Sequence, residues 1–288
     1  MKLFSRKKAG ILWLFPVLLL LVGTVWYALL QVLLGSLEGE NGQFSLSVYE
    51  TLAGNSGFWS SAFFSFYVAG ISTMISLVLG IFIARGLYHY LEDRYSRFLI
   101  WIPMVFPHFV GAYLVILIFS QSGWLSTAAA SLGWIDAIAD FPILTNDSRG
   151  IGLILTYVWK EIPFVVLMML PVYQEMNKEF GHAAAALGAG PYQRFKDIEW
   201  PFLKPGALET GLIIFCFVFG AFEVPYLIGA SSPEMGAVLA YEWFYSGDWS
   251  RRPEALAAMT LLTGAVLTGA GFILWYVRKL RSRLGGGQ

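Results

Sequence analysis

Residues 182–206 read "HAAAALGAGPYQRFKDIEWPFLKPG". Small residues, a Gly-Ala-Gly-Pro break, a short charged run and two prolines follow one another between strongly apolar stretches. From Val172 to Leu187 the chain carries helix formers and no proline. Gly188 and Gly190 are able to take the left-handed conformations that stop a helix. Pro191 suits the first position of a second helix, because the N–H it lacks would be unpaired there anyway. That second helix runs through "YQRFKDIEW" and is expected to end before Pro201. The product is a helix–turn–helix with Tyr192, Phe195 and Ile198 on one face and a small-residue surface at Ala183 to Ala186. An apolar stripe on so short an element must be covered. Either it packs on its own membrane domain or it docks another protein, and the pattern alone leaves both open.

The surrounding chain is apolar. Of 288 residues 57% are hydrophobic and 13% charged, against about 25% charged in a soluble domain. The mean hydropathy is +0.63. Uncharged runs cover 9–34, 51–84, 98–120 and 255–277, each longer than the roughly 20 residues that cross a bilayer core as a helix. Two further apolar stretches, about 150–172 and 208–229, are interrupted by charges. The expected fold is all-α: a polytopic membrane protein with six transmembrane helices. The N-terminal apolar run exceeds the roughly 7–15 residues of a signal sequence and no A-x-A-like cleavage site follows it, so it reads as a retained first helix. Cys216 is the sole cysteine, which excludes disulfides and cysteine-rich metal sites. The three histidines lie far apart, and no metal, cofactor or catalytic constellation is visible.

Net charge is zero but unevenly placed. Fifteen of the 19 Lys and Arg residues fall in the N-terminal tail, in loops 85–97 and 173–206, and at the C-terminus. The alternate loops hold only Arg149, Arg251 and Arg252, and Lys160 lies within a span. Positive residues favour the cytoplasmic side, so both termini and the 182–206 element are expected there. Trp124, Trp134, Trp243, Tyr245 and Trp249 fit an aromatic belt at the outer interface, and 124–140 carries an amphipathic piece. The terminal "GGGQ" reads as disordered.

The quoted stretch resembles the EAA loop of permease subunits of binding-protein-dependent type I ABC importers. Ala183, Ala184, Leu187, Gly188, Ala189, Phe195, Ile198, Pro201 and Pro205 match that pattern, and His182 stands where the family usually has Glu. The resemblance covers residues 57–281 as a permease core of five helices. Ahead of it lie a tail, first helix and external loop (1–56), and behind it a tail (282–288). It implies that His182 to Pro201 form a coupling element seated in a separate ATPase subunit. The chain contains no "GK" dipeptide and so no Walker A phosphate loop. It is expected to be a transport subunit, not an enzyme.

The partners implied are two ABC ATPase subunits, a second permease subunit of the same or a different chain, an external solute-binding protein and membrane lipid, with no nucleic acid. The expected location is the cytoplasmic membrane of a bacterium or archaeon. "GAFEVPYLIG" (220–229) and "GDWSRRPEALA" (247–257) are similar to permeases of the polyamine, iron, thiamine and phosphonate branch.

Ionisable groups inside spans are costly and therefore candidates for a translocation path. Lys160 and Glu161 fall in the fourth span and Glu223 in the fifth, each Glu two residues before a proline, in "EIP" and "EVP". Neighbouring helix positions point about 100° apart, so Lys160 and Glu161 do not simply neutralise one another. Pro163 and Pro225 would free the carbonyls of Trp159 and Ala221 beside these carboxylates. The same residues also fit a structural ion pair with proline kinks, and His108 reads as a satisfied polar residue. Gly264, Thr268 and Gly271 are expected to serve close helix packing, with dimerisation through that face as the alternative. A rival from another class is a proton-coupled secondary transporter using Lys160, Glu161 and Glu223 as a relay. A third is a non-transporting assembly protein.

Overall fold

A computed structural model describes residues 3–39, 43–90, 94–176 and 178–285. Lys2, Glu40 and residues 286–288 of the expected tail lie outside them. The helices are α1 (Leu3–Gly35), α2 (Ser47–Gly54), α3 (Ser56–His89), α4 (Arg94–Val105), α5 (His108–Phe119), α6 (Trp124–Ser131) and α7 (Ile151–Glu175). They continue with α8 (Lys178–Ala186), α9 (Pro191–Arg194), α10 (Trp200–Gly220), α11 (Glu223–Ile228), α12 (Gly236–Tyr245) and α13 (Arg252–Gly285). No strand forms among the described residues, where a lone bridge joins Glu38 and Phe44.

Among the described residues, six stretches are long and apolar enough to cross a membrane: Leu14–Gly35, Ser56–His89, His108–Ser131, Ile151–Glu175, Pro191–Gly220 and Trp249–Ser282. The third differs from the expected run 98–120. Pro107 takes an extended conformation (ψ 154°) and splits that run into α4 and α5. The fifth also differs. It begins at Pro191, and Ala221 turns extended and ends it, short of the expected 229.

The chain forms two compact units, Met1–Phe58 with Leu239–Thr263, and Trp59–Val238 with Gly264–Gln288. In the first, Leu14–Gly35 is apolar around its circumference and unburied, as a helix facing lipid is. Ser36 and Tyr49 share a 2.7 Å hydrogen bond that holds α2 to the end of α1. Trp243 is buried and lies under the guanidinium of Arg251, so it leaves the expected belt. Trp124, Trp134, Tyr245 and Trp249 are exposed.

In the second unit α7 is central, packed against α4, α5, α10 and α11. Its N-terminal amides are satisfied by Asp147, whose carboxylate accepts from Ile151 (2.9 Å) and Gly152 (3.2 Å). Apolar side chains gain nothing from leaving lipid, so close packing must hold helices together there. Tyr157, Val165, Val166 and Tyr173 of α7 are fully buried. Gly80 supplies the close approach of α3: a Cβ there would sit 2.5 Å from the Cβ of Val165. The small residues of α13 do not act this way, since a Cβ at Gly264, Gly269 or Gly271 meets nothing within 4 Å. Their face is exposed in this chain, contrary to the expected intramolecular packing.

Candidate functional site

The loop begins where α7 stops, at Met176, whose backbone is extended. The expected helix through 172–187 is thus two helices, α7 and α8. Helix α8 closes on Gly188, whose φ is +84°. The Ala189 N–H donates to the Ala184 carbonyl (2.9 Å) and the Gly188 N–H to that of Ala185 (3.0 Å). This is the paired closure that glycine permits at a helix end. Gly190 is not left-handed: at φ −68° and ψ 169° it caps α9, and its N–H donates to Gln193 Oε1 at 3.2 Å. Pro191 occupies the first helical position.

The second helix does not end before Pro201. Residues Phe195–Glu199 form a π turn, in which the Trp200 N–H reaches back to the Phe195 carbonyl, and the helix continues into α10. A π turn inserts one residue into the helical register. Here it directly precedes the proline, the position where an unbroken α-helix would meet the ring clash. The expected stripe divides accordingly. Leu187 is 89% exposed and Tyr192 74%, whereas Phe195 and Ile198 are half-buried. Ala183 and Gly188 are exposed, and Ala184 and Ala189 half-buried. His182 falls on α8, with its side chain outside the described residues.

Glu199 was not singled out by the sequence, yet it anchors this element. It is 4% exposed. Arg85 of α3 donates to it twice, Nε to Oε2 at 2.7 Å and Nη2 to Oε1 at 3.0 Å. The Tyr173 hydroxyl of α7 donates to Oε2 at 3.3 Å, and His89 Nε2 lies 3.4 Å from Oε1. The Arg85 guanidinium also stands 5.7 Å from the centre of the Phe195 ring.

The second constellation surrounds the break between α4 and α5. Pro107 has no N–H, so the Pro103 carbonyl loses its helical donor, and the Phe106 carbonyl precedes the first turn of α5. The buried Lys160 ammonium donates to both carbonyls. Glu161, also buried, bonds His108 at 3.0 Å, and His108 is the first residue of α5. Neighbouring residues of α7 thus hold opposite sides of one break, the cation at the C-terminal end of α4 and the carboxylate at the N-terminal residue of α5. Both signs match the helix dipoles. A cleft of about 420 Å³ opens beside Met104, His108, Lys160, Glu161 and Phe164.

Lys160 and Glu161 do not pair with each other, and the ion-pair alternative for them is replaced by these two separate contacts. Glu223 stands apart from the fifth span. It is exposed, in the first turn of α11, after the chain has broken at Ala221. Pro225 also falls in that first turn, where no intrahelical donor is lost, so it frees no carbonyl of Ala221. Pro163 does lie within α7. No cluster of three or more His, Cys, Asp or Glu suits a metal among the described residues.

Helices of this length and apolarity, with charges held inside the bundle by carbonyls and a histidine, define a polytopic membrane protein. Residues 76–285 match the family described as binding-protein-dependent transport system inner membrane component, and the chain belongs to it. It is 25% identical over 203 residues to the thiamine transport system permease protein ThiP of Escherichia coli, across 70% of this chain and 37% of that longer protein. The probable sulfate transport system permease protein cysT of Nephroselmis olivacea is 26% identical over 89% of each chain. The fold is shared with a solved bacterial alginate ABC transporter, in complex with an alginate-bound periplasmic protein. There the TM-score is 0.77 at 17% identity, covering 98% of this chain and 97% of that one.

Proposed function

We propose that this chain is the membrane-spanning permease subunit of an ATP-driven importer, translocating a small solute delivered by an external binding protein. Residues His182, Ala183, Ala184, Leu187, Gly188, Ala189, Phe195, Ile198 and Pro201 form the element that seats in an ATPase subunit. The observation that carries this reading is the exposure of Leu187 and Tyr192 at the tip of an element whose root, Glu199, is bonded to two spans. Two ATPase subunits and a second permease subunit, same or different, complete the assembly. The termini and the coupling element face the cytoplasm, as the distribution of basic residues favours.

The path, in this reading, runs past the break at Pro107 that precedes the third span. Discontinuous helices with charged side chains at the break are a recurrent way to build a polar site at membrane depth. Lys160 and Glu161 border the cleft there, and the exposed Glu223 is the third candidate. Polyamine, iron, thiamine or phosphonate is the solute class. Thiamine and sulfate, the solutes named for two relatives, differ in the sign of their charge, so sequence similarity does not choose the sign.

Purification in mild detergent should bring down an ATP-binding subunit and a second permease copy or homologue. Thiamine, spermidine, ferric ion and a phosphonate should then be screened on the associated binding protein, and the bound solute used for uptake into proteoliposomes. Uptake should require ATP and survive a protonophore. Uptake that ignores ATP and collapses with the proton gradient would make the chain a secondary transporter. No accumulation under either energy source would leave an assembly role.

A further inference from the structure

We propose that Arg85, Tyr173 and Glu199 form a latch that carries movement of the 182–206 element into the second and fourth spans. They are positioning residues for energy coupling, and the inference rests on the coupling reading above.

The latch joins three elements at one point. Arg85 lies near the C-terminal end of α3, Tyr173 near that of α7, and Glu199 closes the π turn that leads into α10. A force applied at the tip of α8 and α9 reaches α10 along a continuous helix. It reaches α3 and α7 through Glu199, which accepts from both.

The bond type suits transmission. Two parallel N–H···O contacts between a guanidinium and a carboxylate fix direction as well as distance. The Glu199 side chain is 5% exposed and that of Arg85 20%. Burial shields the pair from the solvent screening that weakens surface pairs. Cohesion alone does not call for such a pair, because apolar groups of similar volume often hold a buried site equally well. What an ion pair adds is a defined register between the parts it joins. Arg85 also holds the start of the π turn through Phe195, so both ends of that turn are bound to α3.

The weaker ties on another face of α10 are of a different kind. Arg281 to Glu209 (2.6 Å) and Lys204 to Tyr276 (3.3 Å) join α10 to α13 at exposed positions. Exposed pairs contribute little. Among the described residues they leave Arg85–Glu199 as the buried ion pair that ties the coupling element to the spans.

The test uses the complex of this chain with its co-purifying ATPase subunit, in a Cys216→Ser background, with ATP and orthovanadate to trap the closed ATPase. Reporter thiols are introduced by Ser72→Cys in α3 and Thr156→Cys in α7, both fully buried positions. Their rates of reaction with N-ethylmaleimide are compared in trapped and nucleotide-free complex. With the latch intact, trapping should change both rates by about tenfold or more, within the roughly 5–150-fold range of ordinary coupling between sites.

Arg85→Gln/Glu199→Gln removes both charges without stranding either. It should keep the ATPase bound and vanadate-trapped while both reporters lose most of their response. The exchange Arg85→Glu/Glu199→Arg should restore much of that response. A double-Gln complex that traps and responds as the parent does would overturn the latch and leave the coupling reading intact. Loss of the assembled complex in the double-Gln variant would also overturn it, by making the pair a folding staple. If no ATPase subunit co-purifies with the parent chain, the coupling reading itself fails, and the latch fails with it.

Discussion

At the residue scale, the difference between Lys160 and Glu161 decides what each substitution does. Lys160 donates to the Pro103 carbonyl, which Pro107 leaves without a helical donor, and to the Phe106 carbonyl beside the break, whereas Glu161 makes a bond to His108 that a glutamine can still make. Lys160→Met should therefore lower the stability of the purified chain by about 1–3 kcal/mol for each carbonyl left dry. Glu161→Gln should cost well under half as much, and thermal unfolding in detergent ranks the two. The reverse order would mean that Glu161, not the carbonyls, holds the ammonium. Gly188 supplies the second prediction. A Cβ there meets nothing within 4 Å, but φ is +84°, so any cost is backbone strain alone. Gly188→Asn should be tolerated, while the β-branched Gly188→Val should remain inserted yet lose ATPase subunits or uncouple hydrolysis from uptake. Normal uptake with normally stimulated hydrolysis in Gly188→Val would remove the turn from the mechanism. Gly188 was legible because an αL stop has a residue signature. Glu199 was not, because it sits in a charged run that reads as a solvated face, and its partner Arg85 is 114 positions away. Arg85 reads as one of the basic residues that set topology, and nothing local in the sequence calls for a second role.

At the element scale, helix existence followed from apolar length, and helix ends followed from proline only when its position within the turn was known. Pro107 breaks the third apolar run, while Pro103, Pro163 and Pro171 lie inside continuous helices. The π turn at Phe195–Glu199 lets the chain pass Pro201, and no spacing rule announces a five-residue hydrogen-bond step. Pro225 shows the converse, sitting in a first turn where it costs no bond. The helix contacts make a paired prediction. Gly80→Ala forces a Cβ to 2.5 Å from Val165 and should destabilise the isolated chain by about 1–3 kcal/mol, as overpacking does. Gly264→Ala meets nothing and should leave the isolated chain's unfolding temperature unchanged. Equal losses for the two would mean that the Gly264 face of α13 is packed within this chain.

At the scale of the whole molecule, membrane class and span number were legible because hydrocarbon thickness sets helix length directly. Solute identity was not, since it depends on a few side chains around a cleft rather than on any repeating pattern. Orientation rests on the basic residues and is open to labelling. In a Cys216→Ser background, thiols introduced by Ser5→Cys, Gln193→Cys and Ser282→Cys should resist an impermeant maleimide in intact cells and react once the membrane is opened. Labelling at position 193 from outside would reverse the topology and move the coupling element away from ATP. In the proposed function the tip of the 182–206 element seats in an ATPase. Photo-crosslinkers placed at Leu187 and Tyr192, 89% and 74% exposed in this chain, test it most directly in native membranes. Both positions should form adducts with one ATP-binding subunit, their yields changing when ATP and vanadate are added. Adducts confined to this chain or to lipid, unchanged by nucleotide, would contradict it.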